Sequence, residues 1–116
     1  MEDRVTATGW TIVCELEDIV PDTGVCALVD DQQVAVFRVG EQQLYAIDNF
    51  DPNANACVLS RGLVGSVGER VVVASPIYKQ HFDLRTGECL EAPEHSVQAW
   101  QVKLEGGHVL LGQPQR

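Results

Sequence analysis

Two short segments hold most of the side chains that could do chemistry in this chain, FDPN (50–53) and SPIYK (75–79). Asp51 and Asn53 flank Pro52 and could offer oxygens to a hard cation. A lone carboxylate falls short of the six or more oxygens calcium takes, so this spacing predicts an Asx-type turn instead. Ser75 and Tyr78 could act as nucleophile and acid. No His or Lys base adjoins Ser75 in sequence, however, and no Gly-x-Ser-x-Gly elbow surrounds it. A hydroxyl and a phenol are better suited to hydrogen-bonding across two loops. The four cysteines, at 14, 26, 57 and 89, form neither C-x-x-C nor C-x-H and read as reduced thiols packed like small hydrophobes. His81, His95 and His108 stand too far apart along the chain to suggest a shared metal.

The elements that must position these residues show a period of two almost throughout. In GWTIVCELED, Trp10, Ile12, Cys14 and Leu16 share one face, with Val13 the exception, which predicts a half-buried strand. A meander follows: residues 25–29, 33–39 and 43–49 are short β-branched and aromatic runs separated by turn residues, the pattern of antiparallel hairpins. Residues 50–62 read as irregular. GSVG reads as a turn before a central strand over 70–74, apolar on both faces. HFDL and ECLE flank Arg-Thr-Gly as a further hairpin, and the segment from Ser96 pairs with HVLLG across EGG. About nine short strands with little or no helix predict an all-β antiparallel sandwich or open barrel. The expected organisation is one domain over residues 9–112, with flexible ends at 1–8 and 113–116.

Bulk properties exclude several classes. A net charge of −9 with only eight scattered basic residues argues against nucleic acid. The acidic N-terminus lacks a signal peptide's basic start and apolar run. No stretch approaches the roughly 20 apolar residues that span a bilayer. A cytoplasmic protein without a membrane partner is the expectation.

The order LYAIDNFDPN (44–53) and VVVASPIYKQHFDLRTGECLE (71–91) resembles the Rieske [2Fe–2S] domain, with its aromatic-Ala-Ile strand, C-x-H loop, C-P-x-H loop and aromatic-Asp-Leu-x-Thr-Gly hairpin. On that frame the first Cys falls at Asp51 and its His at Asn53. The second Cys falls at Ser75 and its His at Tyr78. A Rieske centre needs two thiolates and two imidazoles, which these oxygen and amide groups cannot replace. The chain is more similar to the small-subunit family of assimilatory NAD(P)H-dependent nitrite reductases, through DIVPDTGVCAL (18–28), QVAVFR (33–38), VLSRGLVG (58–65) and ASPIYKQHFDL (74–84). NANAC (53–57) is less aromatic than that family leads one to expect.

That resemblance implies an all-β, Rieske-like fold without a cluster and a non-catalytic, structural or regulatory subunit. Its partner would be a large subunit carrying FAD, an iron–sulfur cluster and sirohaem, in which nitrite is reduced to ammonium. No catalytic, cofactor-binding or metal residue is expected in this chain. Phe50, Arg61, Tyr78 and Lys79, in or beside the two loops, are the expected partner-binding residues, since Arg and aromatic side chains are enriched at interface hot spots. The alternatives are a stand-alone cluster-free binding module with another partner and, further off, a true Rieske-type ferredoxin.

Overall fold

The computed structural model describes residues 9–115; the N-terminal segment 1–8 expected to be flexible lies outside them, as does Arg116. Eleven strand segments, three short 3-10 turns and no α-helix make up the described chain. β1 (Thr11–Glu15), β11 (His108–Pro114) and β10 (Trp100–Glu105) form one antiparallel sheet in the order β1-β11-β10. β2 (Thr23–Val29), β3 (Gln32–Val39) and β4 (Gln43–Asp48) form the meander. β5 (Phe50–Asp51) pairs with β6 (Ala56–Cys57), and β7 (Leu63–Val67), β8 (Arg70–Ala74) and β9 (His81–Asp83) form the last sheet.

β3 explains how these sheets hold together. Its side chains alternate between two apolar clusters: Val34 and Val36 pack with Ile19, Trp100, Val109 and Leu111, whereas Ala35 and Phe37 pack with Ile47, Leu59, Val73, Phe82 and Leu84. All four of these β3 residues are fully buried. Successive side chains of a strand point to opposite faces, so a run such as VAVF can serve two cores at once. The second cluster lies under the loops that carry Asp51 and Ser75, and it anchors both.

Several sequence-based expectations need correction. The Val13 exception is a bulge, because the register with β11 slips between Ile12 and Cys14 and leaves Val13 unpaired. Gly65 and Ser66 belong to strand β7 and not to a turn; β7 is an edge strand, where glycine is tolerated, and the turn falls at Gly68 with φ +61°. The segment after Arg-Thr-Gly closes the expected hairpin, but with only one bridge, Phe82 to Cys89, flanked by the Asp83 amide donating to Glu88 O at 2.8 Å and the Leu90 amide to His81 O at 2.9 Å. Asp83 shapes the turn between them: its Oδ1 accepts the amides of Arg85 at 2.7 Å and Thr86 at 3.2 Å. Its Oδ2 meets Arg70 Nε at 2.8 Å, and Arg70 also pairs with Glu88. At the C-terminus, expected to be flexible from 113, β11 runs on to Pro114 and the Gln115 amide donates to Ala99 O at 2.6 Å.

Gly87 closes the Asp83 turn at φ +83°, and a Cβ there would meet Val97 O at 2.0 Å. Both the backbone angle and the contact demand glycine. Gly87→Ala is therefore expected to cost about 2–4 kcal/mol of stability. Urea unfolding at unchanged m-value measures it, and a loss under about 1 kcal/mol would show that the turn relaxes freely.

Candidate functional site

Three segments meet at one end of the domain. β4 runs through Asp48 and the buried Asn49 into β5 and the Asp51-Pro52-Asn53 turn. A 3-10 turn over Leu59–Arg61 follows β6, and β8 ends at Ala74 before the loop from Ser75 to Gln80. Gly62 fastens the second segment to the third, since a Cβ on it would lie 2.3 Å from Ala74 O. Asn49 fastens the first to the second: its main-chain oxygen accepts the Leu59 amide at 3.0 Å, and its Oδ1 accepts the Ser60 amide at 2.7 Å.

Asp51 is the centre of the arrangement and is fully buried. Its Oδ1 accepts the Asn53 amide at 2.9 Å, which is the expected Asx-type turn. Its Oδ2 accepts the hydroxyl of Ser75, also buried, at 2.5 Å. The Ser75 main chain closes its own loop, donating to Gln80 O at 2.9 Å and accepting from the Lys79 amide at 3.0 Å. The hydroxyl thus joins the two loops as expected, but the phenol does not. Tyr78 is 63% exposed, because the tight Ser75–Lys79 turn, with Lys79 at φ +64°, presents residues 76–79 outward.

Asn53 turns away from this pair. Its Nδ2 donates to Cys89 Sγ at 3.7 Å, and its Oδ1 accepts from His95 Nδ1 at 2.5 Å. The three histidines keep separate company, His95 with Asn53, His81 with Glu91 at 2.6 Å and His108 with Glu15 at 2.6 Å. No group of three His, Cys, Asp or Glu side chains gathers to hold a metal among the described residues.

The four positions do not fit a two-iron cluster. None offers a thiolate or an imidazole, the donors a Rieske centre takes. The Ser75 hydroxyl and Asp51 carboxylate are hydrogen-bonded to each other, while Asn53 and Tyr78 point elsewhere. Around this closed centre the end of the domain is exposed and apolar. Phe50 is 41% exposed, and Arg61 and Lys79 are exposed as well. Sequence reasoning passed over Ile77 and Leu63, which are 45% and 78% exposed. The available signal for Ile77 was a large apolar residue in a non-periodic loop between Pro76 and Tyr78, where no core face exists for it.

Fold and site together define a Rieske-type β-domain whose metal-binding end is closed by oxygen and amide side chains. The profile of the Rieske-like [2Fe-2S] domain family matches residues 9–112. The nitrite reductase (NADH) small subunit of Escherichia coli K12 is 44% identical over 103 residues, 88% of this chain and 95% of that protein. The solution structure of the nitrite reductase [NAD(P)H] small subunit from Erwinia carotovora superposes with a TM-score of 0.79 at 49% identity, over 94% of this chain and 85% of that one. A nitrite reductase [NAD(P)H] large subunit from Klebsiella oxytoca contains a segment 41% identical to 98% of this chain, which spans 12% of that protein's length. This chain belongs to the Rieske-like domain family and, within it, to the nitrite reductase small subunits.

Two outcomes follow from the geometry. Ser75→Ala leaves a buried carboxylate oxygen without its donor and is expected to cost roughly 1–3 kcal/mol, read by urea unfolding. A loss below about 0.5 kcal/mol would remove the Asp51–Ser75 bond from its structural role. The second outcome concerns pH. Burial acts upward on the Glu91 carboxyl, but hydrogen bonds from the amide and ring of His81 outweigh it, so Glu91 titrates below its ordinary value of 4.5. Its stabilisation is complete above that value and is lost as the pH falls through the lowered one. Glu91→Gln should flatten the fall of stability with acid in that window; an unchanged slope would contradict the sign.

Proposed function

We propose that this chain is the small, non-catalytic subunit of a cytoplasmic NAD(P)H nitrite reductase serving nitrate assimilation, and that it binds the large subunit through the end of the domain around Asp51 and Ser75. The observation that carries this reading is the direct Asp51–Ser75 hydrogen bond, which joins the two loops where the Rieske frame would place metal ligands. On this reading the chain holds no cluster, and FAD, iron–sulfur cluster and sirohaem belong to the large subunit.

The Klebsiella relative supports the partnership. A protein named for the large subunit carries a segment matching nearly this whole chain. We take the same partnership, with a large subunit of this kind, to operate here. Among the described residues no helix is long and apolar enough to cross a membrane. In this reading Phe50, Ile77 and Tyr78 supply the apolar contact, and Arg61 and Lys79 steer an acidic surface of the partner toward an otherwise negative chain.

Co-purification of the tagged chain with the large subunit tests the docking end. The double variant Arg61→Glu, Lys79→Glu should weaken association by about tenfold or more while the free subunit keeps its unfolding midpoint. Unchanged co-purification would move the contact elsewhere. Iron and acid-labile sulfide in the anaerobically purified subunit should both fall far below stoichiometric amounts, and a stoichiometric yield of both would overturn the cluster-free reading.

A further inference from the structure

The fold brings together two cysteines that lie 31 positions apart in the chain. Cys26 is on β2 and Cys57 on β6, and both are exposed free thiols. Asn49 connects their surroundings. Its Nδ2 donates to Cys26 Sγ at 3.6 Å and to Gln33 Oε1 at 3.0 Å. The chain just beyond Cys57 winds round the same residue, through the Leu59 and Ser60 amides. Cys57 itself is the ladder partner of Phe50, the residue after Asn49. Gly24, two residues before Cys26 on β2, lies against the chain three residues after Cys57, since a Cβ on it would meet Ser60 O at 2.9 Å.

The two sulfurs also interact electrically. Burial, and then the charge of Cys57, hold the Cys26 thiol above its ordinary value of 9.0. The other cysteines are placed differently. Burial, with Asp18 and Glu15, pushes Cys14 up to about 11, and Cys89 is fully buried. Cys89 thus lacks the access that thiol exchange requires, and Cys14 the ionisation.

We propose that Cys26 and Cys57 form a two-thiol modification site that closes to an intramolecular disulfide by exchange with a low-molecular-weight disulfide, such as glutathione disulfide. In the first step the Cys57 thiolate attacks one sulfur of the small disulfide, the S–S bond breaks and one small thiolate leaves. Cys57, now in a mixed disulfide, carries no charge, and its opposition to ionising Cys26 disappears. Cys26 then gives its proton to water and attacks the Cys57 sulfur, expelling the second small thiolate. Two electrons have passed from the cysteine pair to the small disulfide, which is reduced to two thiols. The product ties β2 to the β5–β6 hairpin.

The test uses the full chain, folded, with glutathione disulfide as oxidant, followed by alkylation and peptide mass mapping. The expected result is loss of two of the four free thiols, a mass lower by two hydrogens and a 26–57 cross-linked peptide. Closure should be about tenfold or more faster in the folded protein than in concentrated urea, because the fold supplies the proximity. Cys26→Ser and Cys57→Ser should each lose the cross-link and keep a single glutathione adduct at most. Stable adducts on both cysteines without a cross-link, no reaction at either, or closure at equal rates in urea would each overturn the proposal.

Discussion

A carboxylate taken out of water must have its oxygens bonded, or its desolvation outweighs whatever burial gains around it. Asp51 is such a group, and its two oxygens have two different tasks. One accepts the Asn53 amide and shapes the turn that ends β5. The other accepts the Ser75 hydroxyl from a loop 24 residues further along the chain. Two loops that the Rieske frame joins through iron are here joined through a proton. The rest of that end of the domain, from the Asn53–His95 contact to the outward turn at Lys79, is arranged around this bond.

The replacement changes what the end of the fold can do. A hydrogen bond holds geometry but accepts no electron. With these groups paired internally, the exposed side chains at this end are Phe50, Ile77 and Tyr78, which offer apolar area, and Arg61 and Lys79, which put positive charge on a chain of net charge −9. Apolar residues rimmed by a few cations suit a protein interface better than a small-molecule site. The same constraint places Cys57 in the hairpin that follows Asn49, where the proposed thiol chemistry arises.

Rigidity at this end comes from underneath. β3 packs into both apolar clusters, and the cluster containing Phe37, Leu59, Val73 and Phe82 draws on all three segments that carry the loops or flank them. Leu59 is fully buried although it sits in a 3-10 turn, so the turn carrying Arg61 is pinned by its own first residue. Gly62 then lets that turn lie directly on the end of β8. Packing beneath therefore holds this end in place.

Period-two alternation made most of the scaffold legible: β2, β3, β4 and β8 follow directly from VCALV, QVAVFRV, QLYAIDN and RVVVA, because a strand's side chains report its faces locally. The missing thiolates and imidazoles at 51, 53, 75 and 78 were equally plain, since donor chemistry belongs to the residue type. Alternation failed at the Val13 bulge, where the register with β11 slips. It also failed at β7, where an edge strand accepts glycine and serine. Tertiary structure alone decided that Ser75 would meet Asp51 while Tyr78 faced outward, and that Asn49 would reach Cys26. Those outcomes depend on the direction of a backbone turn at Lys79 and on contacts between residues 23 and 24 positions apart, and neither is written in any local pattern of side chains.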